Sequence, residues 1–216
     1  MRARLGRMRT TVLLLCACCA LLVPVASAPA ARSGSRPAPA PCAAKRSTTV
    51  AQNVQARIYV RSQRGDADQH LLIGCLLRSG QRVQLASWFS SGLSRGDEPA
   101  PQVWLRERIV AVNRYSCSPD PTSPADCVGG ARTVSLRTGE TLRRANTGTS
   151  VAALAQGPRG SFAYVSSGGA VLKSDADGEG VLLDPGPGIV ADSLATAGVH
   201  VYWIHGALPV TAALRS

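Results

Sequence analysis

The pentapeptide Leu77-Arg78-Ser79-Gly80-Gln81 is repeated in the chain as Leu136-Arg137-Thr138-Gly139-Glu140. Each copy is followed by an alternating apolar run, and Asp175-Ala176-Asp177-Gly178-Glu179 stands in the same relation to residues 181–183. Glycine at this place accepts a left-handed backbone, and alternation with a period of two is typical of a half-buried strand. The three segments are therefore predicted to be copies of one β-hairpin, with Gly80 and Gly139 in equivalent turns.

A second element precedes the hairpins, in which a strand ending in leucine turns into an apolar central strand. The pairs are Leu105 with residues 109–112, Leu154 with residues 162–165, and Leu194 with residues 199–203. Central strands spaced by roughly 40 to 50 residues are typical of four-stranded propeller blades. The fold is therefore predicted to be all-β, with about four antiparallel repeat sheets in propeller-like succession and incomplete first and last units. We expect little helix, the most helix-like segment being residues 150–156.

Three segments of the chain resemble the repeats of exported β-propeller-like proteins of high-GC bacteria, a group distantly similar to TolB-like and WD-type propellers. They are the hairpin at residues 136–140, the strand Val201-Tyr202-Trp203 and the closing run at residues 206–214. The resemblance implies a fold and an extracytoplasmic location, but no activity, since the group has no catalytic signature. A last unit that stops after its third strand departs from a full propeller. A strand near residues 48–54 filling the gap and an open array are the two alternatives.

Residues 1–28 have the three parts of a secretory signal peptide. Four arginines precede an apolar run at residues 12–25, and Ala26-Ser27-Ala28 provides the small-residue exit. Cleavage after Ala30 is an alternative, because Pro29 is unfavourable directly after the cut. An uncleaved anchor would be short for a bilayer and is interrupted by Pro24. A lipoprotein is a further alternative, because residues 15–18 loosely resemble the cleavage motif of lipoprotein signal peptides. We expect a secreted or envelope-associated protein.

The mature chain is predicted to contain a linker and one domain. Residues 29–47 are rich in Pro and Ala and too poor in apolar side chains to bury themselves. Residues 48–216 are long enough to form one β-repeat domain with its own core.

The cysteine count favours disulfides. Three of the seven cysteines leave with the signal peptide, and the remaining Cys42, Cys75, Cys117 and Cys127 form an even set in an exported chain. Zinc is the competing interpretation, but no pair has ligand spacing and no histidine lies near them. Cys117 and Cys127 flank an insertion without apolar content, so we predict that they pair. Cys42 then pairs with Cys75 and ties the leader to the strand at residues 71–77.

The positive charge has a compositional origin in part. Of the 24 basic residues 22 are arginine, which with abundant Ala, Gly, Pro and Val indicates a GC-rich genome, and removing residues 1–28 lowers the net charge from +11 to +7. The arginines are spread over four segments at 57–64, 78–82, 106–114 and 132–144, whereas a phosphate-binding face clusters its cations. No specific nucleic acid is predicted, and binding to an anionic envelope polymer stays open.

Catalytic chemistry has little support in the sequence. His200 lies in an apolar strand and is predicted to be packed and hydrogen-bonded, while His205 ends that strand and His70 follows a polar turn. No nucleophile elbow accompanies them, and the acids cannot be paired into a catalytic couple. The acids considered are Asp97, Glu98, Glu107, Asp175, Asp177 and Asp192. Asp175 and Asp177 have calcium-like spacing, but the sister turns carry arginine there, which favours ordinary turn chemistry.

The chain is therefore expected to be an exported interaction or ligand-binding module, with an exported enzyme acting on an envelope or extracellular polymer as the alternative. No catalytic, cofactor or metal residue is predicted. The partner is expected to be a protein or an envelope polymer, membrane contact is expected only through an uncleaved signal segment, and the protein is expected to be monomeric. A binding surface could show exposed aromatics such as Trp88 and Phe89.

Overall fold

The computed structural model describes residues 42–63, 68–90, 100–117, 127–148 and 150–216. The chain divides between Pro37 and Ala38, and every described residue belongs to the second unit. Within these ranges the only helical element is a 3-10 turn at Pro158–Gly160, which confirms the expectation of little helix. No helix of the described part is long and apolar enough to span a membrane.

The described residues form fifteen strands in four antiparallel sheets, and the strands of each sheet follow one another in chain order. Sheet 1 contains β1 (Ser47–Gln52), β2 (Ala56–Gln63), β3 (Asp68–Leu76) and β4 (Arg82–Ser90). Sheet 2 contains β5 (Gln102–Arg106), β6 (Ile109–Cys117), β7 (Cys127–Ser135) and β8 (Thr141–Asn146). Sheet 3 contains β9 (Val151–Gln156), β10 (Phe162–Ser166), β11 (Val171–Asp175) and β12 (Gly178–Asp184). Sheet 4 contains β13 (Ile189–Ala197), β14 (His200–His205) and β15 (Leu208–Ala213).

The three predicted hairpin turns join equivalent strands of their sheets, but the third differs from the first two, because only Ala176 and Asp177 separate β11 from β12 and Gly178 already belongs to β12. The turn with Gly80 joins β3 to β4, the turn with Gly139 joins β7 to β8, and the turn at residues 176–177 joins β11 to β12. Each turn therefore connects the third strand of a sheet to the fourth. Gly80 and Gly139 have φ values of 72° and 79°, in the left-handed region that residues other than glycine rarely adopt. This confirms the predicted equivalence of the two turns.

The central strands of the sequence pattern are the second strands of their sheets: β6, β10 and β14. Residues 151–156, in the most helix-like segment, form β9, because they pair in register with β10. The strand near residues 48–54 is β1, which pairs with β2 at the edge of sheet 1 and does not complete sheet 4. Sheet 4 thus has three strands among the described residues.

The core lies between consecutive sheets. Successive side chains of a central strand point to opposite faces of its sheet, so the strand packs against the sheet before it and the sheet after it. Val110 and Val112 of β6 pack in a cluster with sheet 1, while Ala111 between them packs with sheet 3. In β10, Phe162 and Tyr164 face the sheet 2 side and Ala163 packs with sheet 4. A strand that is buried on both faces has apolar residues at consecutive positions, which explains the continuous apolar runs at residues 109–112 and 162–165.

The first strands of the four sheets are neighbours in space: β1 contacts β5, β5 contacts β9, and β9 contacts β13. Fourth strands meet as well, since β8 contacts β12. Consecutive sheets are therefore neighbours through their first strands. The turns that join first to second and third to fourth strands lie at one rim of the array, because strand direction alternates within each sheet.

Sheets 1 and 4 differ in the side chains they carry outside the core between the sheets. On sheet 1, Cys42 forms a disulfide with Cys75, and both cysteines are buried with Tyr59. This confirms the predicted Cys42–Cys75 pairing and is compatible with an extracytoplasmic location. The outer face of sheet 4 exposes apolar side chains, among them Tyr202 and Ile204 of β14.

Candidate functional site

A cavity of about 570 Å³ opens between sheets 1 and 2, at the rim that carries the repeated turns. Four turns surround it, two from each sheet. The lining residues are Val54, Gln55, Leu76, Arg78, Ser79, Gln81, Arg108 and Arg137. Its volume is within the range of small-molecule sites in proteins, about 300 to 1,000 Å³.

Arg78 and Arg137 reach the cavity because they occupy the same position in two copies of one turn. The amide of Gly80 donates to the carbonyl of Leu76 at 2.8 Å, and the amide of Gly139 donates to the carbonyl of Ser135 at the same distance. The two turns therefore share a backbone conformation, and each presents its arginine at the same rim. Stacking sheet 1 on sheet 2 then places both cations around one cavity.

Arg108 lies in the turn between β5 and β6. Its Nε donates to Oε1 of Gln55 at 2.7 Å, and its backbone carbonyl accepts from the amide of Leu136 at 2.9 Å. The carbonyl of Gln55 in turn accepts from the amide of Leu77 at 2.9 Å. These bonds fix Arg108 and Gln55 to both hairpin turns.

Two further side chains join the sheets at this rim. Nε2 of Gln81 donates to the carbonyl of Arg137 at 2.8 Å, and Nδ2 of Asn53 donates to the carbonyl of Glu107 at 2.9 Å. Each bond runs from a turn of sheet 1 to the backbone of a turn of sheet 2. The walls of the cavity are therefore set by hydrogen bonds before any ligand binds.

The cavity is electropositive. No acid is among its described lining residues, and none of its three arginines forms an ion pair with a described residue. A concave surface lined by charges of one sign concentrates counter-ions, so this cavity attracts anions. The sequence showed these arginines as spread over three segments. Only the repeat alignment, which puts Arg78 and Arg137 at one position, could have indicated that they converge.

A second cavity, of about 510 Å³, is lined mainly by sheet 2, together with Leu85 and Ala86 of sheet 1 and Glu179 of sheet 3, and differs in its electrostatics. There Nη2 of Arg132 donates to the carbonyl of Leu85 at 2.6 Å, and Arg144 lies 3.4 Å from the carboxylate of Glu179. Its cations thus have partners within the protein. The cavity between sheets 1 and 2 is therefore the better candidate for an anionic ligand.

The histidines are not brought together. The Nδ1 of His70 lies 3.0 Å from Oγ of Ser62, its partner in the strand register, and its ring stacks on Trp88. His200 is exposed, so the prediction that it is packed was wrong. Val201 and Trp203 take the inward positions of β14, which turns His200 toward the uncovered outer face of sheet 4.

His205 belongs to a buried polar group around Asp184. Oδ2 of Asp184 lies 2.9 Å from both Nε1 of Trp203 and Nδ1 of His205. The hydrogen bond from Trp203 lowers the pKa of Asp184, burial opposes this, and the Gly186 amide and His205 lower it further. Asp184 therefore stays ionised and satisfies the buried indole N–H.

The acids with calcium-like spacing contact a lysine. Nζ of Lys173 lies 2.8 Å from Asp175 and 2.6 Å from Asp177, and Arg215 also pairs with Asp177. Burial acts to raise the pKa of Asp175, but hydrogen bonds from Lys173 and from the amides of Arg215 and Asp177 lower it below its usual value. Among the described residues, no three potential ligands converge on a metal site.

The aromatic pair at 88–89 is divided between the core and the surface. Trp88 is only 6% exposed, so the expectation of an exposed Trp88 was wrong, whereas Phe89 is 50% exposed. The register shifts by one residue between β3 and β4 around Leu85, and such a bulge reverses which side chains face inward. Leu85 and Trp88 consequently face the same core.

Four of the residues considered in the sequence, two acids and two cysteines, are not described or are described only in their backbone. Asp97 and Glu98 lie outside the described residues, and the side chains of Cys117 and Cys127 are not described. The backbone register does pair Cys117 with Cys127 directly across β6 and β7. Their disulfide stays a prediction. Glu107 and Asp192 are exposed and lie in different sheets.

Comparison with protein-family models, with curated proteins and with solved structures finds no match for this chain. The resemblance to exported propeller-like proteins therefore stays a prediction. The structure shows that the described part of the chain is all-β, with four antiparallel sheets and an arginine-lined cavity between the first two.

Proposed function

We propose that this chain is an exported binding module for an anionic ligand, built as an open propeller-like array of four sheets. The observation that carries the proposal is the convergence of Arg78, Arg108 and Arg137 on one cavity without an acidic partner. The cavity is formed by loops on a rigid sheet scaffold, which is where proteins commonly place binding residues. The export part of the proposal rests on the signal-like residues 1–28 and agrees with the Cys42–Cys75 disulfide.

Two features support the propeller-like part. Each described sheet is a meander in chain order, and the first strands of consecutive sheets lie side by side, as inner strands do around a propeller axis. The array is proposed to be open, since β1 belongs to sheet 1 and sheet 4 keeps an uncovered face. Small-angle scattering of the full chain tests this, because a closed ring and an open array differ in their distance distributions.

Retention on immobilised polymers tests the binding function. We expect the full chain to be retained on polygalacturonate, dextran sulfate or polyphosphate but not on neutral dextran, and to be released by salt. The double variant Arg78→Ala/Arg137→Ala should lose retention, while Arg61→Ala, which removes an exposed arginine of β2 far from the lining, should keep it. Equal retention of both variants, or no retention of the parent chain, would overturn the proposal.

The alternative of an exported enzyme has one contact in its favour, the approach of Ser62 Oγ to His70 Nδ1 at 3.0 Å. These residues are direct neighbours across β2 and β3, so the register alone brings them together. Turnover of an ester, peptide or glycan substrate that is abolished by His70→Ala would favour the enzyme over the binding module.

A further inference from the structure

We infer that the cavity between sheets 1 and 2 binds a phosphate monoester, free or attached to a sugar, through Arg78, Arg108 and Arg137. This rests on the proposed function, which places an anion at the same cavity, and it adds the chemical identity of that anion.

The number of cations matches a tetrahedral anion. A guanidinium group donates two parallel hydrogen bonds to two oxygens of one anion. A carboxylate has two oxygens in one plane, so one arginine satisfies it. A phosphate monoester offers three terminal oxygens and a charge of about −1.5 to −2 at neutral pH. Three arginines line the cavity, each from a different turn, and no acid is among its described lining residues. This set of cations matches a phosphate monoester better than a carboxylate.

The donors needed by such an anion are available. The Nε of Arg108 already donates to Gln55, while its two terminal nitrogens have no partner among the described residues. Arg78 and Arg137 form no ion pair in the described part of the chain. The Ser79 hydroxyl accepts from the amide of Gln81 at 3.3 Å, which leaves its own proton for a ligand oxygen.

Two of the remaining lining residues are aliphatic, beside the amides of Gln55 and Gln81. Val54 is 92% exposed and lines the cavity together with Leu76. These side chains offer a contact surface to the carbon part of an organic phosphate. No aromatic side chain is among the described residues that line this cavity, so they offer no stacking surface of the kind on which single-stranded nucleic acids depend. The wall therefore favours an aliphatic or sugar phosphate over a nucleic acid.

The pH dependence of binding distinguishes this ligand from other anions. The second ionisation of a phosphate monoester has a pKa near 6, so the dianion rises about tenfold between pH 5 and pH 7.5. The lining contains no histidine, and the charged neighbours in the same turns are the carboxylates of Glu107 and Glu140. Affinity for a phosphate monoester should therefore rise about tenfold over this interval, while affinity for sulfate should stay constant.

Isothermal titration of the full chain with methyl phosphate, glucose 6-phosphate, sulfate and acetate tests the inference. We expect one site per chain, with methyl phosphate bound more tightly than acetate. Arg78→Ala and Arg137→Ala should each weaken phosphate binding by about tenfold or more, because a charge-assisted hydrogen bond is lost. Arg137→Lys should also weaken it, since lysine keeps the charge but lacks the planar fork. Arg61→Ala should leave binding unchanged, and thermal melting of each variant checks that it is folded.

The outcomes separate this inference from the proposed function. Tighter binding of glucose 6-phosphate than of methyl phosphate identifies a phosphorylated sugar, and equal binding identifies the phosphate group alone. Equal affinity for acetate and methyl phosphate, or phosphate binding that the arginine variants do not weaken, would overturn the phosphate site. In that case retention on polygalacturonate that depends on Arg78 and Arg137 would still support the anion-binding module.

Discussion

The ammonium group of Lys173 lies 2.8 Å from the carboxylate of Asp175, and both side chains are almost completely buried. Asp175 also accepts from the amide of Arg215 at 2.8 Å, and Lys173 reaches the carbonyl of Ala213 at 3.4 Å. The pair therefore joins sheet 3 to the end of the chain. Burial acts to lower the pKa of Lys173, but hydrogen bonds and charges from Asp175 and Asp177 raise it.

Removing Lys173 should destabilise the domain strongly. Lys173→Met leaves the Asp175 carboxylate buried without its cation, which in proteins costs about 3 to 5 kcal/mol. Denaturation with guanidinium chloride measures the change. Asp177→Asn is the matched control, because Asp177 is partly exposed and its loss leaves the Lys173–Asp175 pair in place. Similar denaturation midpoints for the two variants would show that the buried Lys173–Asp175 pair does not stabilise the domain more than the partly exposed contact with Asp177.

Stability should fall in acid through Asp175 and Asp184. The pKa of each carboxyl lies below its usual value in the folded chain. Such a group contributes stability above the unfolded pKa of about 4, and this contribution is lost as the pH falls through the folded pKa. Asp184→Asn keeps an acceptor for Trp203 but has no charge to titrate. Unfolding free energies between pH 2.5 and 6 should therefore depend less on pH in Asp184→Asn than in the parent, and parallel curves would contradict this.

The Cys42–Cys75 disulfide should stabilise the domain by about 3 to 4 kcal/mol, the value that chain entropy predicts for its loop, since the two cysteines are 33 residues apart. Chemical denaturation of the parent and of Cys42→Ser/Cys75→Ser measures this difference. Reducing agent should lower the midpoint of the parent towards that of the double variant. If neither the double substitution nor the reducing agent lowers the midpoint, the packing around Tyr59 stabilises this part of the domain without the disulfide.

A second disulfide is expected between Cys117 and Cys127. The register places their Cα atoms directly opposite each other across β6 and β7. Opposed residues of antiparallel strands have Cα atoms about 4.5 to 5.5 Å apart, within the range that a disulfide spans. Peptide mapping of the unreduced, folded protein should recover one peptide pair linked through these cysteines. Two free thiols at 117 and 127 would contradict the prediction.

Gly74 should not tolerate a side chain, because sheets 1 and 2 meet closely there. A Cβ atom on Gly74 of β3 would lie 2.3 Å from Cδ2 of Leu136. Gly74→Ala should therefore destabilise the domain by about 1 to 3 kcal/mol through overpacking. Gly130→Ala in β7 is the control, since its Cβ would meet its nearest atom at an ordinary 3.6 Å. Thermal unfolding of both variants checks this, and equal melting temperatures would show that the sheets can separate slightly.

The strands and the repeated hairpins were predicted from local chemistry: glycine at positive φ in a turn, and side chains that alternate with a period of two. Gly80 and Gly139 consequently lie in the predicted turns of sheets 1 and 2. Local chemistry acts over a few residues, which is the range that a sequence pattern covers. The Cys42–Cys75 pairing joins residues 33 positions apart and was predicted from the even number of cysteines in the mature chain.

Which face of a strand is covered, and which distant side chains meet, depends on how the sheets pack. A period of two separates two faces but does not say which one a neighbouring sheet will bury, so His200 is exposed although its strand is apolar. One bulged residue near Leu85 was enough to turn Trp88 into the core. Arg78, Arg108 and Arg137 converge only because sheet 1 stacks on sheet 2, and stacking depends on the complementarity of whole surfaces, which no short stretch of sequence contains.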